Sequence, residues 1–266
     1  MDRRTFMISL AGGMAFLAGC TSSAGPPGTP APRKRLLVLT ETVEYRHGSI
    51  PFTVEAVRSL GNAAMEWEIA DVADTADQVR TMMTAEKLAS VDAVVFASTT
   101  GTLSFSQEGR AAFYEWMRGG GAFIGIHSAS DTFHGDADYL DLLGGEFLTH
   151  GPQTEVEIFV QDATHPACAG LPDSFTFFEE IYEFKGWSHA AVHMLLAMHR
   201  HPQEGTPGDF PVAWTRRYGQ GRVFYTSLGH RDDTYTSELF RKHLSGGIQW
   251  ALGLKTGDDT HGNPII

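Results

Sequence analysis

The chain has 266 residues and carries 20 Lys and Arg against 32 Asp and Glu, a formal net charge of −12. That balance argues against nucleic acid or anionic lipid as a partner. Its two cysteines, Cys20 and Cys168, supply neither a disulfide framework nor a cysteine-based zinc site.

The amino-terminal segment reads as an address. Arg3-Arg4-Thr5-Phe6-Met7 resembles the twin-arginine export signal, with the plain secretory route as the alternative, and an apolar run from Phe6 to Ala18 follows. Leu17-Ala18-Gly19-Cys20 resembles a bacterial lipobox, in which Cys20 is lipidated and becomes the new amino terminus. The run is short for a bilayer span. The expectation is a signal peptide over 1–20 and a tether over 21–34, rich in Ser, Gly and Pro. The protein would then be periplasmic or on the cell surface, and only its lipid would touch the membrane. About 230 residues remain, enough for one large α/β domain.

Arg35 to Thr40 reads as a first strand, followed by a loop that contains Tyr45-Arg46-His47. Ser49-Ile50-Pro51 reads as a helix start with Ser49 as the cap, and Gly61 as its end. Trp67 to Val72 is a second strand, Ala85 to Ala89 a short helix, and Val91 to Ala97 a third, buried strand delivering Ser98-Thr99-Thr100-Gly101. Ser104 to Gln107 fits a capping box that opens a helix burying Ala112, Phe113, Trp116 and Met117.

Gly119-Gly120-Gly121 stops that helix, and Ala122 to Ile126 forms an uninterrupted apolar strand ending on His127. Such a strand is buried on both faces, and the crevice past its carboxyl end is where open α/β sheets hold ligands. Gly125 and Ala129 flank His127 at two residues' distance, the small-x-reactive-x-small pattern of a strained strand-to-helix elbow. A histidine there favours a base, an acid or a metal ligand over a nucleophile. Strand–helix alternation predicts a flavodoxin-like, doubly wound, mostly parallel sheet.

The second half adds β segments at Thr154–Val160, Phe175–Phe184 and Ala191–Met198. A hairpin of Val212–Tyr218 and Arg222–Leu228 comes next and leads to Gly229-His230. Leu239 to Leu252 is the closing helix, and 254–266, with few anchoring residues, reads as a loose tail.

His47, His127 and His230 are thus predicted to leave separate strands at one edge of the sheet. Imidazole suits proton transfer near neutral pH and, when neutral, binds metal. Asp131 and Glu180 are the carboxylates to add, Asp131 orienting an imidazole, binding hydroxyls or capping a helix. Arg46 reads equally as a substrate contact or a surface ion pair, and His150 is a weaker candidate for the cluster. His165 and Trp214 read as structural, His201 and His261 as solvated. No HExxH spacing is present, so a divalent metal at His47, His127 and His230 is neither demanded nor excluded.

Several motifs resemble the ThuA-like (trehalose-utilisation) domain, itself related to the class I glutamine amidotransferase-like fold. They are Tyr45-Arg46-His47, Thr99-Thr100-Gly101, Gly119 through His127-Ser128-Ala129, His165-Pro166, Glu180-Ile181-Tyr182, Pro211 to Trp214, Tyr218 to Tyr225 and Gly229-His230. They run in order through 35–253. The resemblance implies a role in disaccharide catabolism, often beside sugar oxidoreductases that make 3-keto sugars. Thr99, Thr100, Gly101, Ser128 and Tyr182 within these motifs are read as substrate-binding positions. His127 occupies the place of the amidotransferase nucleophilic cysteine, and Cys168 has no elbow around it, which argues against thioester chemistry.

The resulting expectation is an exported enzyme acting on a sugar or glycoside, with a 3-keto disaccharide among the candidates. His127 would be the base, with His47 and His230 polarising the carbonyl directly or through a metal. The alternative is a non-catalytic carbohydrate-binding or partner module using Tyr45, Phe133, Tyr139 and Trp187 to stack on sugar faces.

Overall fold

A computed structural model describes residues 32–265. The export signature, Cys20 and all but the end of the tether lie outside the described residues. The elements run β1 (Lys34–Leu39), α1 (Ile50–Ala64), β2 (Trp67–Ala73), α2 (Ala76–Met82), α3 (Ala85–Leu88), β3 (Ala93–Ala97), α4 (Gln107–Arg118) and β4 (Ala122–Ile126). There follow α5 (Ala137–Leu143), β5 (Glu146–His150), β6 (Thr154–Val160), β7 (Ser174–Glu179), β8 (Tyr182–Lys185), β9 (His193–Arg200), β10 (Pro207–Tyr218), β11 (Gly221–Thr226) and α6 (Glu238–Ala251). No described helix is long and apolar enough to cross a membrane.

The large sheet has the order β2-β1-β3-β4-β11-β10-β9-β6-β7. Its first five strands pair in parallel, in the flavodoxin-type order, and β10, β9, β6 and β7 extend it antiparallel. The expected doubly wound α/β fold with β additions in its second half is therefore present. Strand periodicity divides the core into two layers. Leu36 and Val38 of β1 pack on the face covered by Val57 of α1 and Leu244 and Ile248 of α6. Leu37 and Leu39 pack on the other face with Val79 of α2, Leu88 of α3, Phe113 and Met117 of α4 and Leu142 of α5. Each such side chain, fully buried, contributes about 1.5–3 kcal/mol.

Several local expectations are corrected. Gly61 does not end α1, which continues to Ala64 and closes on Met65 at φ 59°. A Cβ at Gly61 would lie 2.5 Å from the Trp67 ring, so this glycine serves close packing. Ser49 makes no side-chain cap; its hydroxyl donates to the Gly229 carbonyl at 2.8 Å. Ser104 does not cap α4 either: its N–H and hydroxyl donate to the Glu41 carboxylate, and Ser106 is the cap. α2 was not anticipated, although Thr75 and Gln78 form a reciprocal capping box.

Phe175–Phe184 breaks in two. β7 joins the large sheet, whereas β8 pairs with β5 in a separate two-stranded sheet. The tail is anchored, not loose. Asn263 accepts from Met194 N at 2.7 Å and donates to Met194 O at 3.0 Å, closing a polar bridge to β9 that composition does not reveal.

Candidate active site

The carboxyl ends of β3 and β4 each finish on a non-glycine residue in the left-handed region, Ser98 at φ 52° and His127 at φ 52°. That conformation disfavours L-residues with a Cβ and persists only where the surroundings over-determine it. Here they do. Tyr225 Oη donates to the His127 carbonyl at 2.8 Å, and Tyr139 Oη donates to the Ala129 carbonyl at 2.7 Å. A Cβ at Gly125 would sit 3.0 Å from the Phe123 and Tyr225 rings and 3.3 Å from the Ala129 Cβ, so the glycine lets all three pack against the turn. The elbow predicted from the sequence is thus present, continuing as a short 3-10 helix over His127–Asp131.

His47 comes from the loop after β1, and the neighbouring strand end fastens that loop. Thr100 Oγ1 donates to the Tyr45 carbonyl at 3.0 Å, and Val43 N donates to the Thr100 carbonyl at 3.0 Å. Arg46 folds back onto the Thr40 carbonyl at 3.0 Å and the Asp74 carboxylate at 2.7 Å.

His230 sits in the turn after β11, which a residue not anticipated from the sequence holds in place. Glu179, fully buried at the end of β7, accepts from the backbone N–H of Gly229 and of His230, each at 2.7 Å, and from Thr234 Oγ1 at 3.2 Å. Burial raises its carboxyl above the usual range, and the backbone donors only partly offset that. Glu180, the next residue, turns the other way into the cluster. The Glu179-Glu180 doublet was the sequence signal: carboxylates adjacent on an extended segment face opposite sides.

The result is a compact polar group. His127 Nε2 lies 3.0 Å from His47 Nε2, 3.0 Å from Tyr182 Oη and 3.6 Å from Glu180 Oε2. His230 Nδ1 lies 3.1 Å from Glu180 Oε2. One donor atom from each of His47, His127, Glu180 and His230 falls within 4.8 Å of every other.

Burial lowers the His47 pKa to about 4, with His230 adding to the effect and Glu180 opposing it. Burial also drives His127 well below the ordinary histidine value. Contact with Glu180 raises His230, against burial. Burial would raise Glu180, but His230, with His150 and His47, holds it below the usual carboxylate range.

These residues fit a divalent cation. His127 Nδ1 is 2.8 Å from the Ser227 carbonyl, which can only accept, so Nδ1 carries the proton and Nε2 presents its lone pair to the cluster. His230 Nδ1 is buried and lacks an aligned hydrogen-bond partner among the described residues. Zinc binds imidazole nitrogen at about 2.0–2.1 Å, which sets tetrahedral donors about 3.3 Å apart. The 3.0 and 3.6 Å separations around His127 bracket that value. Three imidazoles and one carboxylate suit zinc or a similar ion.

Above the cluster opens a cleft of about 310 Å³, lined by Tyr45, His47, Asp131, His150, Tyr182 and His230 among others. Tyr45 is 65 % exposed at its rim. Asp131 presents a carboxyl that burial raises, against the pull of His134 at 2.5 Å. His134 in turn contacts Glu146 at 2.6 Å. His134 and Glu146 were not foreseen, because neither lies in a motif.

Of the residues singled out in the sequence, His47, His127, His230, Glu180 and Tyr182 come together, and Asp131 and His150 face the same cleft. His150 Nδ1 is 3.2 Å from Glu180 Oε1. The role given to His127 is corrected: its ring is 0 % exposed beneath the others, so it cannot touch a substrate as its base.

Arg46, Thr99, Thr100, Gly101 and Ser128 do not line the cleft. Arg46 and Thr100 fasten the His47 loop, Thr99 Oγ1 bonds Thr132 Oγ1 at 2.8 Å, and Gly101 N donates to the Asp131 carbonyl at 2.8 Å. Ser128 Oγ backs His47 Nδ1 at 3.3 Å. Asp131 pairs with His134 and orients no imidazole of the cluster. Phe133 and Tyr139, proposed as sugar-stacking aromatics, are core residues at 3 % and 2 % exposure. His201, expected solvated, pairs with Glu183 at 3.2 Å. Cys168 is buried, with its thiol pushed up to about 12, the reverse of an activated nucleophile.

Comparison with known proteins gives a consistent picture. The ThuA family model, described as trehalose utilisation, matches residues 35–251. No curated protein is significantly similar. A ThuA-like protein from Parabacteroides merdae superposes with a TM-score of 0.72 at 17 % identity, over 85 % of this chain and 92 % of that one. A ThuA-like protein from Bacteroides uniformis gives 0.65 at 21 % identity, over 85 % and 95 %. At such identities the likeness speaks for the fold.

Proposed function

Because the chain belongs to the ThuA family of trehalose utilisation, we propose that it is an exported enzyme processing a disaccharide or glycoside, a 3-keto sugar in the first instance. Its active site would be the cleft over His47, His127, Glu180 and His230, with a divalent cation held by those four groups. The observation that carries this reading is the convergence of three imidazole nitrogens and one carboxylate oxygen within 4.8 Å, beneath a cleft rimmed by an exposed tyrosine.

A cation bound there would supply Lewis acidity toward a ketone or hydroxyl oxygen. The chain's own residues do the rest. Burial keeps His47 and His127 neutral and therefore able to ligate. Asp131 is the group suited to moving a proton: it faces the cleft, its carboxyl is raised by burial, and His134 holds it in place. A ketone acidifies the adjacent C–H, so proton removal there would open elimination, isomerisation or assisted glycosidic cleavage. Tyr45 offers a ring face to the sugar.

The test is incubation of metal-loaded protein with native and 3-keto trehalose, with products followed by chromatography. Turnover of the keto sugar, lost in His127→Ala and in Asp131→Asn with the fold intact, supports the reading. Undiminished turnover in both variants, or none with either sugar in the wild type, overturns it.

A further inference from the structure

The cleft over the histidine cluster has a neighbour. A second cavity of about 330 Å³ is lined by Tyr45, Ser49, Gln153, His230, Arg231 and Asp232. Tyr45 and His230 belong to the walls of both cavities. Each alone is at the small end of ligand pockets, which run from roughly 300 to 1,000 Å³. Together they make a two-lobed site with a shared partition. The coupling is stiff: Glu179 accepts from the backbone of Gly229 and His230, so one pinned turn presents His230 to the inner lobe and Asp232 to the outer.

The outer lobe has a definite chemistry. The guanidinium of Arg231 is already engaged: Nε and Nη2 contact Asp233 Oδ1 and Oδ2 at 2.8 and 2.7 Å, and Nη1 donates to Gln153 Oε1 at 3.0 Å. Its charge is therefore matched, and an anionic group would find no free cation there. Gln153 has its oxygen occupied, and its amide nitrogen has no partner among the described residues. Asp232 accepts only from the backbone of Asp233 through one oxygen. A carboxylate oxygen to accept and an amide to donate, beside the exposed ring of Tyr45, suit a neutral, hydroxyl-rich ring.

We infer that this second cavity is an outer subsite for the unreacting unit of a two-unit glycoside, with Gln153 and Asp232 as its specificity-determining residues. The inference rests on the sugar-processing reading above and adds where the remote unit sits and what recognises it. Binding at the remote unit would favour two-ring ligands over one-ring ligands at the same inner site.

The test is calorimetric titration of the full, metal-loaded chain with glucose and with trehalose, in the wild type, Gln153→Ala and Asp232→Asn. The asparagine keeps an oxygen for the Asp233 N–H, so that variant retains the local turn. Trehalose is expected to bind at least about tenfold more tightly than glucose, the scale of one hydrogen bond to a charged group. Each variant should bring trehalose toward the glucose value, with glucose affinity and metal content unchanged. Equal affinity for the two sugars in the wild type, or variants that weaken both sugars alike, overturns the outer subsite. If metal-dependent turnover persists alongside equal affinities, only the subsite fails. A protein that binds neither sugar and turns over neither overturns the sugar reading as well.

Discussion

His47 and His127, 80 positions apart in the chain, bring their Nε2 atoms to 3.0 Å from one another at the carboxyl edge of the parallel sheet. Two neutral imidazoles do not gather there without a cause. The Ser227 carbonyl turns the lone pair of one inward, and Ser128 backs the ring of the other. In the proposed site a cation would lie between these two nitrogens.

Ser128 is the partner that orients His47 without touching a ligand. Ser128→Ala should weaken divalent-metal affinity about tenfold to hundredfold, the usual effect of removing a supporting hydrogen bond from a ligating histidine. Competition with a chelating dye would measure it, and the far-ultraviolet circular dichroism should not change. An unaltered affinity would mean that His47 needs no such support.

Glu179 should matter to stability more than its neighbour does. Glu179→Ala strands the buried N–H groups of Gly229 and His230, each at about 1–3 kcal/mol. The predicted loss is several kcal/mol in urea unfolding, together with loss of metal binding as His230 drifts. Glu179→Gln keeps an acceptor oxygen and should lose less. Equal unfolding midpoints for Glu179→Ala and the wild type would contradict the pinning role.

Two further histidines, distant in sequence from the cluster ligands, predict acid sensitivity. Burial lowers both His165 and His243 from 6.5 to about 4. His165 Nδ1 accepts from Ala167 N at 3.1 Å, which a protonated nitrogen could not do, and His243 Nδ1 donates to the Ala167 carbonyl at 2.9 Å. Below pH 6.5 the unfolded chain takes up protons that the folded chain refuses. Stability from each group is therefore complete above pH 6.5 and lost as pH falls through about 4, by about 3 kcal/mol. Urea midpoints between pH 7 and pH 4 would show the slope, and His243→Gln should flatten it. Equal slopes in wild type and variant would remove His243 from this account.

The edge of the sheet was legible in the sequence because its signals are local. An apolar run ending on His127 between Gly125 and Ala129 can make a strand and an elbow and little else, and the closing hairpin delivers His230 in the same way. Residues whose role is set by distant partners were not legible. Thr100 and Arg46 look like substrate contacts in a motif, yet three-dimensional packing commits them to the His47 loop. Phe133 and Tyr139 are aromatic and follow the elbow, but only the layer beneath the sheet decides that they are core. Spacing places His127 at the strand end, but the depth of its ring below the cleft is set by packing that spacing does not encode. Asn263, Gly262 and Thr260 hold the tail against the start of β9 through polar contacts invisible to composition.

In the proposed site His47, His127, Glu180 and His230 share one metal ion. X-ray absorption at the metal edge of protein reconstituted with zinc, read together with elemental analysis, tests it most directly. The prediction is one ion per chain in a shell of imidazole nitrogens with one carboxylate, lost in His230→Ala. A protein that retains no stoichiometric zinc, or that keeps the same shell in His230→Ala, would contradict it.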